Sequence, residues 1–173
     1  MPTLETITAF IAMVFTAVAM GYDLKTRRIP NALTVTAFAV GIAFHAITSG
    51  FSGLGLSLTG FLAGFLPMAL LWLIGGGGGG DVKLMGALGA WVGGPVVLII
   101  FIGSAATTML WMIFTLIGRA LFRGQPVASV KSNDVTVDIE ESSNGLLPYA
   151  IPVAITTWAW MLIKFAASMA SAQ

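Results

Sequence analysis

Residues 95–118 read PVVLIIFIGSAATTMLWMIFTLIG, with no charged side chain among them. A helix of about 20 apolar residues crosses a hydrocarbon core of roughly 30 Å, so this stretch predicts a membrane span. Working outward from it, similar stretches lie near Leu4–Gly21, Ala32–Ile47, Gly53–Ile74 and Pro148–Ala170. Composition agrees. The chain is 57% hydrophobic and only 9% Asp, Glu, Lys and Arg, against about 25% charged residues in a soluble domain. Mean hydropathy is +0.95. So little polar surface cannot coat a water-soluble globule, and the expectation is an all-α polytopic membrane protein, one domain over residues 1–173.

Several chemistries are excluded at once. There is no cysteine, hence no disulfide, thiolate or Cys-zinc site. One histidine leaves no His-rich metal centre, and we expect neither metal nor organic cofactor. A formal net charge of +1 offers no field for nucleic acid. Carboxylates, hydroxyls and backbone remain.

Leu84–Gly94 is apolar but reaches only about 16 Å as helix. It reads as a short span, a re-entrant piece, or part of a helix that begins earlier, at Asp81. Basic residues favour a crossing. Lys25, Arg27 and Arg28, then Lys83, then Arg119, Arg123 and Lys131 share one face only if this segment spans. The positive-inside rule makes that face cytoplasmic. The expectation is six spans with both termini outside. Lys164 lies in the outer half of the last span, where its stem can snorkel. A cleaved signal peptide is disfavoured, because Glu5 and no basic residue precedes the first apolar stretch. The polar stretch 119–147 reads as a cytoplasmic loop. Val135, Val137 and Ile139 alternate with polar residues in a strand-like period, and Asn144-Gly145 reads as a turn. A docking strand for an extended peptide is the sharper reading of that loop.

Of the seven acids, Asp134, Asp138, Glu140 and Glu141 share the loop and Glu5 is near the amino terminus. Asp23 and Asp81 alone stand where apolar spans meet the predicted cytoplasmic interface. Burial and a neighbouring carboxylate both raise a carboxyl pKa. If these helix ends pack together, the pair can share a proton as in an aspartic protease. Either acid can instead cap a helix or pair with Lys25 or Lys83, and position alone leaves both readings open. Pro30 ends regular helix after Asp23, and Asn31 is suited to cap the next span. Asp81 follows six glycines, Gly75 to Gly80. Such a run disfavours helix and lets backbone approach a ligand closely. It lacks the Lys-Ser/Thr ending of a phosphate loop.

Asp23-Leu24-Lys25-Thr26-Arg27-Arg28-Ile29-Pro30-Asn31 resembles the D-x-x-x-x-x-I-P-N signature of type IV prepilin peptidases. Gly78-Gly79-Gly80-Asp81-Val82-Lys83-Leu84 is similar to the G-x-G-D-x-K-L signature of the same family. Two motifs in the right order make the resemblance specific, and its span pattern covers most of residues 1–118. Pro148-Tyr149-Ala150 is similar to a Pro-Tyr-Gly element that opens the family's last span, with Ala150 in place of Gly, and carries no assigned role. The resemblance implies an aspartic endopeptidase of the bacterial inner membrane that cuts the leader from prepilin or pseudopilin precursors at the cytoplasmic face. Asp23 and Asp81 carry over as its catalytic pair, with Gly78, Gly79, Gly80 and Lys83 as substrate-binding candidates. Larger members also methylate the new amino terminus and carry a Cys-x-x-Cys pair. With no cysteine here, the expectation is cleavage only, as in the short enzymes of tight-adherence pilus systems.

The other expectations are modest. Lys83 reads first as a positive-inside anchor. The acidic loop cluster is the available receiver for a basic leader. His45 reads as packing or interfacial, Trp72 and Trp91 as interfacial belt residues, and Trp158 and Trp160 as helix packing. Gly60 and Gly64 form a small-xxx-small pair that lets a helix approach. Competing functions are a small proton-coupled transporter, disfavoured because both acids sit at one face, and a non-catalytic subunit of a pilus machine.

Overall fold

The structure, a computed structural model, describes residues 2–75, 78–122 and 149–170. Over these residues it is all helical, with α1 (Pro2–Thr26), α2 (Asn31–Leu73), α3 (Gly79–Val92), α4 (Gly94–Phe122) and α5 (Ala150–Ala170). By length and composition, α1, α2, α4 and α5 can cross a membrane.

Helix α2 is two limbs. Gly50 adopts φ 58° and ψ −139°, a conformation open to glycine and strained for other residues. The contacts with α3 reveal a reversal there. On the first limb, Asn31 meets Lys83 and Ala37 meets Trp91. On the second, Ser57 meets Ala90, Gly60 meets Gly89 and Gly64 meets Met85. The first limb therefore runs with α3 and the second against it.

Helix α3 forms the centre. Every residue from Leu84 to Trp91 is buried, so the helix is apolar all round because protein, not lipid, surrounds it. A Cβ on Gly60 would overlap the Gly89 carbonyl oxygen, and one on Gly64 that of Met85. Backbone thus meets backbone, as the Gly60/Gly64 spacing leads one to expect. The last carbonyls of α3, which no helical N–H can reach, find other donors. Ser57 Oγ donates to the Ala90 oxygen at 2.6 Å and His45 Nε2 to the Trp91 oxygen at 3.1 Å. Trp91 Nε1 in turn donates to the Ala37 oxygen at 2.8 Å.

The remaining contacts set the direction of each helix. Helix α5 lies antiparallel to α1: Lys164 pairs with Glu5 at 3.6 Å, Trp158 Nε1 donates to Thr16 Oγ1, and Ala150 meets Asp23. One end of the bundle carries Asp23, Asn31, Gly78–Asp81 and Tyr149. The opposite end carries Glu5, His45, Ser49, Trp91 and Lys164.

Of the three readings of the short apolar segment, the structure gives the helix that begins earlier, from Gly79 to Val92, ended by Gly93 at φ 81°. Three expectations change. Trp91 is no belt residue: it is 3% exposed and hydrogen-bonded inside the bundle. Asn31 is the first residue of α2, not its cap. Pro30 occupies the cap position without a side-chain bond, and the Asn31 side-chain Oδ1 accepts from the Lys83 ammonium at 2.8 Å. Helix α4 runs on to Phe122, so residues 119–122, the first of the stretch predicted as a loop, are helical. The alternating segment 135–139, the Asn144-Gly145 turn and the acids Asp134, Asp138, Glu140 and Glu141 lie outside the described residues.

Candidate active site

Asp23 stands one turn before the end of α1. Its carbonyl accepts the Arg27 N–H at 2.8 Å, and Arg27 takes a left-handed conformation, φ 49°, that stops the helix. The Thr26 hydroxyl lies 2.9 Å from the Tyr22 oxygen and 3.0 Å from that of Arg28, tying the turn to the helix end. Ile29 then turns inward, 9% exposed, against Gly80. A Cβ on Gly80 would sit 3.6 Å from that of Ile29, so the glycine run and the Ile-Pro-Asn turn close over one another.

Asp81 lies in the first turn of α3, ahead of its apolar stretch. Its Oδ2 accepts the Gly78 N–H at 3.2 Å, covering an orphan donor at the helix start. Space is short on that side, since a Cβ on Gly78 would come within 3.0 Å of the same oxygen. Burial lifts the Asp81 carboxyl from the ordinary 3.8 to about 6; the Gly78 N–H opposes the rise and the Asp23 charge adds to it.

The two carboxyls share one cleft of about 560 Å³, lined by both together with Arg27, Arg28, the Ile29–Asn31 turn, Gly78, Gly79, Gly80 and Tyr149. Asp23 is nearly closed off, at 7% exposure, and its Oδ2 accepts the backbone N–H of Ala150 at 3.0 Å. Tyr149 Oη meets Ser104 Oγ at 3.0 Å, which joins the cleft wall to α4. Burial pushes the Tyr149 phenol above its ordinary 10; Ser104 opposes this and the Asp81 charge adds to it. Of the predicted site residues, Asp23, Asp81 and Gly78 to Gly80 come together. Lys83 does not join them. It is exposed, points to the other side of α3 and holds Asn31. No group of three or more metal-ligating side chains occurs among the described residues.

Two carboxyls on different helices, in one cleft walled by glycine backbone, can divide acid and base work over an extended peptide. Residues 10–113, which contain both aspartates, match the model of the type IV leader peptidase family. The chain belongs to the type IV leader peptidase family. Curated relatives described as prepilin leader peptidase/N-methyltransferase are similar to it. One from Pectobacterium carotovorum subsp. carotovorum is 32% identical over 114 residues, covering 60% of this chain and 40% of the relative. One from Burkholderia pseudomallei (strain 1026b) is 32% identical over 108 residues, 58% of this chain and 35% of the relative. One from Aeromonas hydrophila is 36% identical over 103 residues, 53% of this chain and 35% of the relative. The chain thus spans well under half the length of these relatives. No solved structure matches it.

The family match ends before Tyr149, and so did the sequence reading of the site. Tyr149, Ala150 and Ser104 are the residues it missed. The Pro148-Tyr149-Ala150 element was the available signal, but nothing in the sequence says that α5 begins against Asp23.

Proposed function

We propose that this protein is a membrane aspartic endopeptidase that removes the leader of type IV prepilin or pseudopilin precursors at the cytoplasmic face of a bacterial inner membrane. The observation that carries the reading is the convergence of Asp23 and Asp81 in one cleft in a member of the leader peptidase family. The similar proteins' description as prepilin leader peptidases supports the substrate class.

The chemistry needs one carboxylate and one carboxylic acid. The carboxylate takes a proton from water as the water oxygen bonds to the scissile carbonyl carbon. The acid gives its proton to the carbonyl oxygen. The resulting diol collapses: the C–N bond breaks, the amine leaves with the proton held by the first carboxyl, and the second recovers its own from a diol hydroxyl. Gly78, Gly79 and Gly80 offer backbone to the peptide, while lipid holds the apolar stem of the substrate. Lys83 serves as a tie to Asn31 and not as a substrate contact.

The proposed topology has six spans. The limbs 31–49 and 51–73 of α2 are about 28 and 34 Å long at ~1.5 Å per residue, each sufficient for a crossing. Helix α3 makes the short one, sheltered by its neighbours. Lys25, Arg27, Arg28 and Lys83 all belong to the cleft end of the bundle, which the positive-inside rule assigns to the cytoplasm.

The test is processing of a co-expressed prepilin, followed by gel shift in membranes. Asp23→Asn and Asp81→Asn, expressed at wild-type level, are each expected to lower the cleavage rate at least about 10²-fold. A variant that cuts at a comparable rate would sink the two-aspartate mechanism.

A further inference from the structure

A second cavity lies at the end of the bundle opposite the cleft, and the proposed cleavage makes no use of it. Its volume is about 320 Å³ and all five helices line it. The polar groups of its wall divide by helix. On α1 and α2 they accept. Glu5 presents a carboxylate. The Thr8 hydroxyl gives its one hydrogen to the Leu4 and Glu5 carbonyls, at 3.2 and 3.0 Å, and Thr48 gives its own to that of Phe44 at 2.8 Å. Both hydroxyls therefore have only lone pairs left for a ligand. His45, 8% exposed, donates through Nε2 to the Trp91 carbonyl. Its Nδ1 has no partner among the described residues and, in a neutral ring, is an acceptor too. On α5 the polar groups donate. Lys164 presents an ammonium, and the Trp160 indole N–H has no partner among the described residues. Glu5 and Lys164 meet at 3.6 Å, both more than half exposed. An exposed pair of this kind is weak and opens readily to another partner. Ser49 can act either way. Phe44, Leu56, Val92, Val96 and Met161 supply the apolar wall.

We propose that this cavity binds the headgroup of a phospholipid that carries a primary ammonium beside its phosphate: the ammonium on the acceptors of α1 and α2, the phosphate on Lys164 and Trp160 of α5. Acceptors facing donors, with one charge of each sign, call for a ligand that has a hydrogen-donating cation and an anion close together. A trimethylated ammonium has no N–H to offer Glu5, Thr8 or Thr48, and a headgroup with no cation leaves Glu5 beside a phosphate. The apolar part of the wall, at the end of a bundle of membrane-crossing helices, calls for an amphiphile, which the bilayer supplies. Ligand sites run from roughly 300 to 1,000 Å³, so this cavity has room for a headgroup, and the acyl chains stay in the membrane. The lipid then braces α1 against α5, the two helices that hold Asp23 and its Ala150 partner at their other ends.

The experiment is native mass spectrometry of the purified full chain in detergent, titrated with dioleoyl phosphatidylethanolamine, phosphatidylcholine or phosphatidylglycerol. One phosphatidylethanolamine is expected to bind wild type about 10-fold more tightly than either of the others, the size of one charge-assisted hydrogen bond. Glu5→Gln should erase that preference. Lys164→Met, which removes the partner of the phosphate, should weaken phosphatidylethanolamine binding by about 10-fold. Thr8→Val keeps shape and charge, removes one acceptor and should weaken it by about 2- to 10-fold. Melts in lipid-free detergent, expected to stay close to wild type, show that the variants are folded. Added phosphatidylethanolamine should raise the melting temperature of wild type and not that of Glu5→Gln. Equal binding of the three lipids, tighter binding of phosphatidylglycerol, or a phosphatidylethanolamine preference that survives Glu5→Gln overturns the proposal. Soluble glycerophosphoethanolamine should not displace the lipid at equal concentration. If it does, the ligand comes from water and the lipid assignment falls. The titration contains no prepilin, so its outcome is independent of the peptidase reading.

Discussion

Asp81 is buried against its own interest, and its displacement has a consequence for stability. Its carboxyl is raised from 3.8 to about 6 in the fold, so between these values the folded state binds more protons than the unfolded. Stability from this group is fully present below about pH 4 and is lost as pH rises through about 6. Above that window the unneutralised carboxylate destabilises the fold by on the order of 2 kcal/mol. Asp81→Asn can keep the acceptor for Gly78 without the charge. It should therefore raise the melting temperature at pH 8 and have little effect at pH 4, as measured by differential scanning fluorimetry in detergent. An equal effect at both pH values would argue against a buried ionisation. That Asp23 and Asp81 are special was legible from their place among apolar spans and from their motifs. The partner that holds Asp23 was not, because it is an amide 127 positions away.

At the scale of elements, the junction of α2 and α3 is backbone on backbone, and glycine identity decides it. A Cβ on Gly60 or on Gly89 meets a carbonyl oxygen that cannot yield. Gly60→Ala and Gly89→Ala should each destabilise by about 1–3 kcal/mol or more and reduce the yield of folded protein. Gly55, on the same helix, has no atom within 4 Å of where its Cβ would be. Gly55→Ala should be neutral or stabilise by about 0.4–1 kcal/mol. Thermal melts of the three variants check the contrast, and equal melts would remove the close-packing argument. Trp91→Phe keeps the aromatic packing against Phe44 but removes the indole hydrogen bond to the Ala37 carbonyl, and should destabilise by about 0.5–1.5 kcal/mol. The Gly60/Gly64 spacing forecast a close helix approach. Sequence could not name α3 as the partner or put Trp91 inside, since an interfacial and a buried tryptophan look alike in one dimension.

Over the whole molecule, the absence of cysteine makes the proposed topology directly testable. Single cysteines at Lys25 and Ser52, both exposed, should differ in access to a membrane-impermeant maleimide added to intact spheroplasts. Ser52→Cys, beside the Gly50 reversal, should label from outside, and Lys25→Cys only after lysis. Labelling of both from outside would refute six spans. The Glu5–Lys164 pair joins the chain's first and last helices, yet its side chains are 77% and 55% exposed. Lys164→Met should therefore change the melt by no more than about 1 kcal/mol. By itself, the sequence determined an all-helical membrane protein, the order of its long apolar segments and the two acids worth watching. Those features follow from local hydrophobicity and from motifs that are contiguous in the chain. Only the tertiary structure decided that α2 reverses at Gly50, that α3 is enclosed by protein, and that α5 begins against Asp23. Each of these depends on which surfaces meet after the helices pack, and helix packing joins residues whose separation along the chain carries no trace of it.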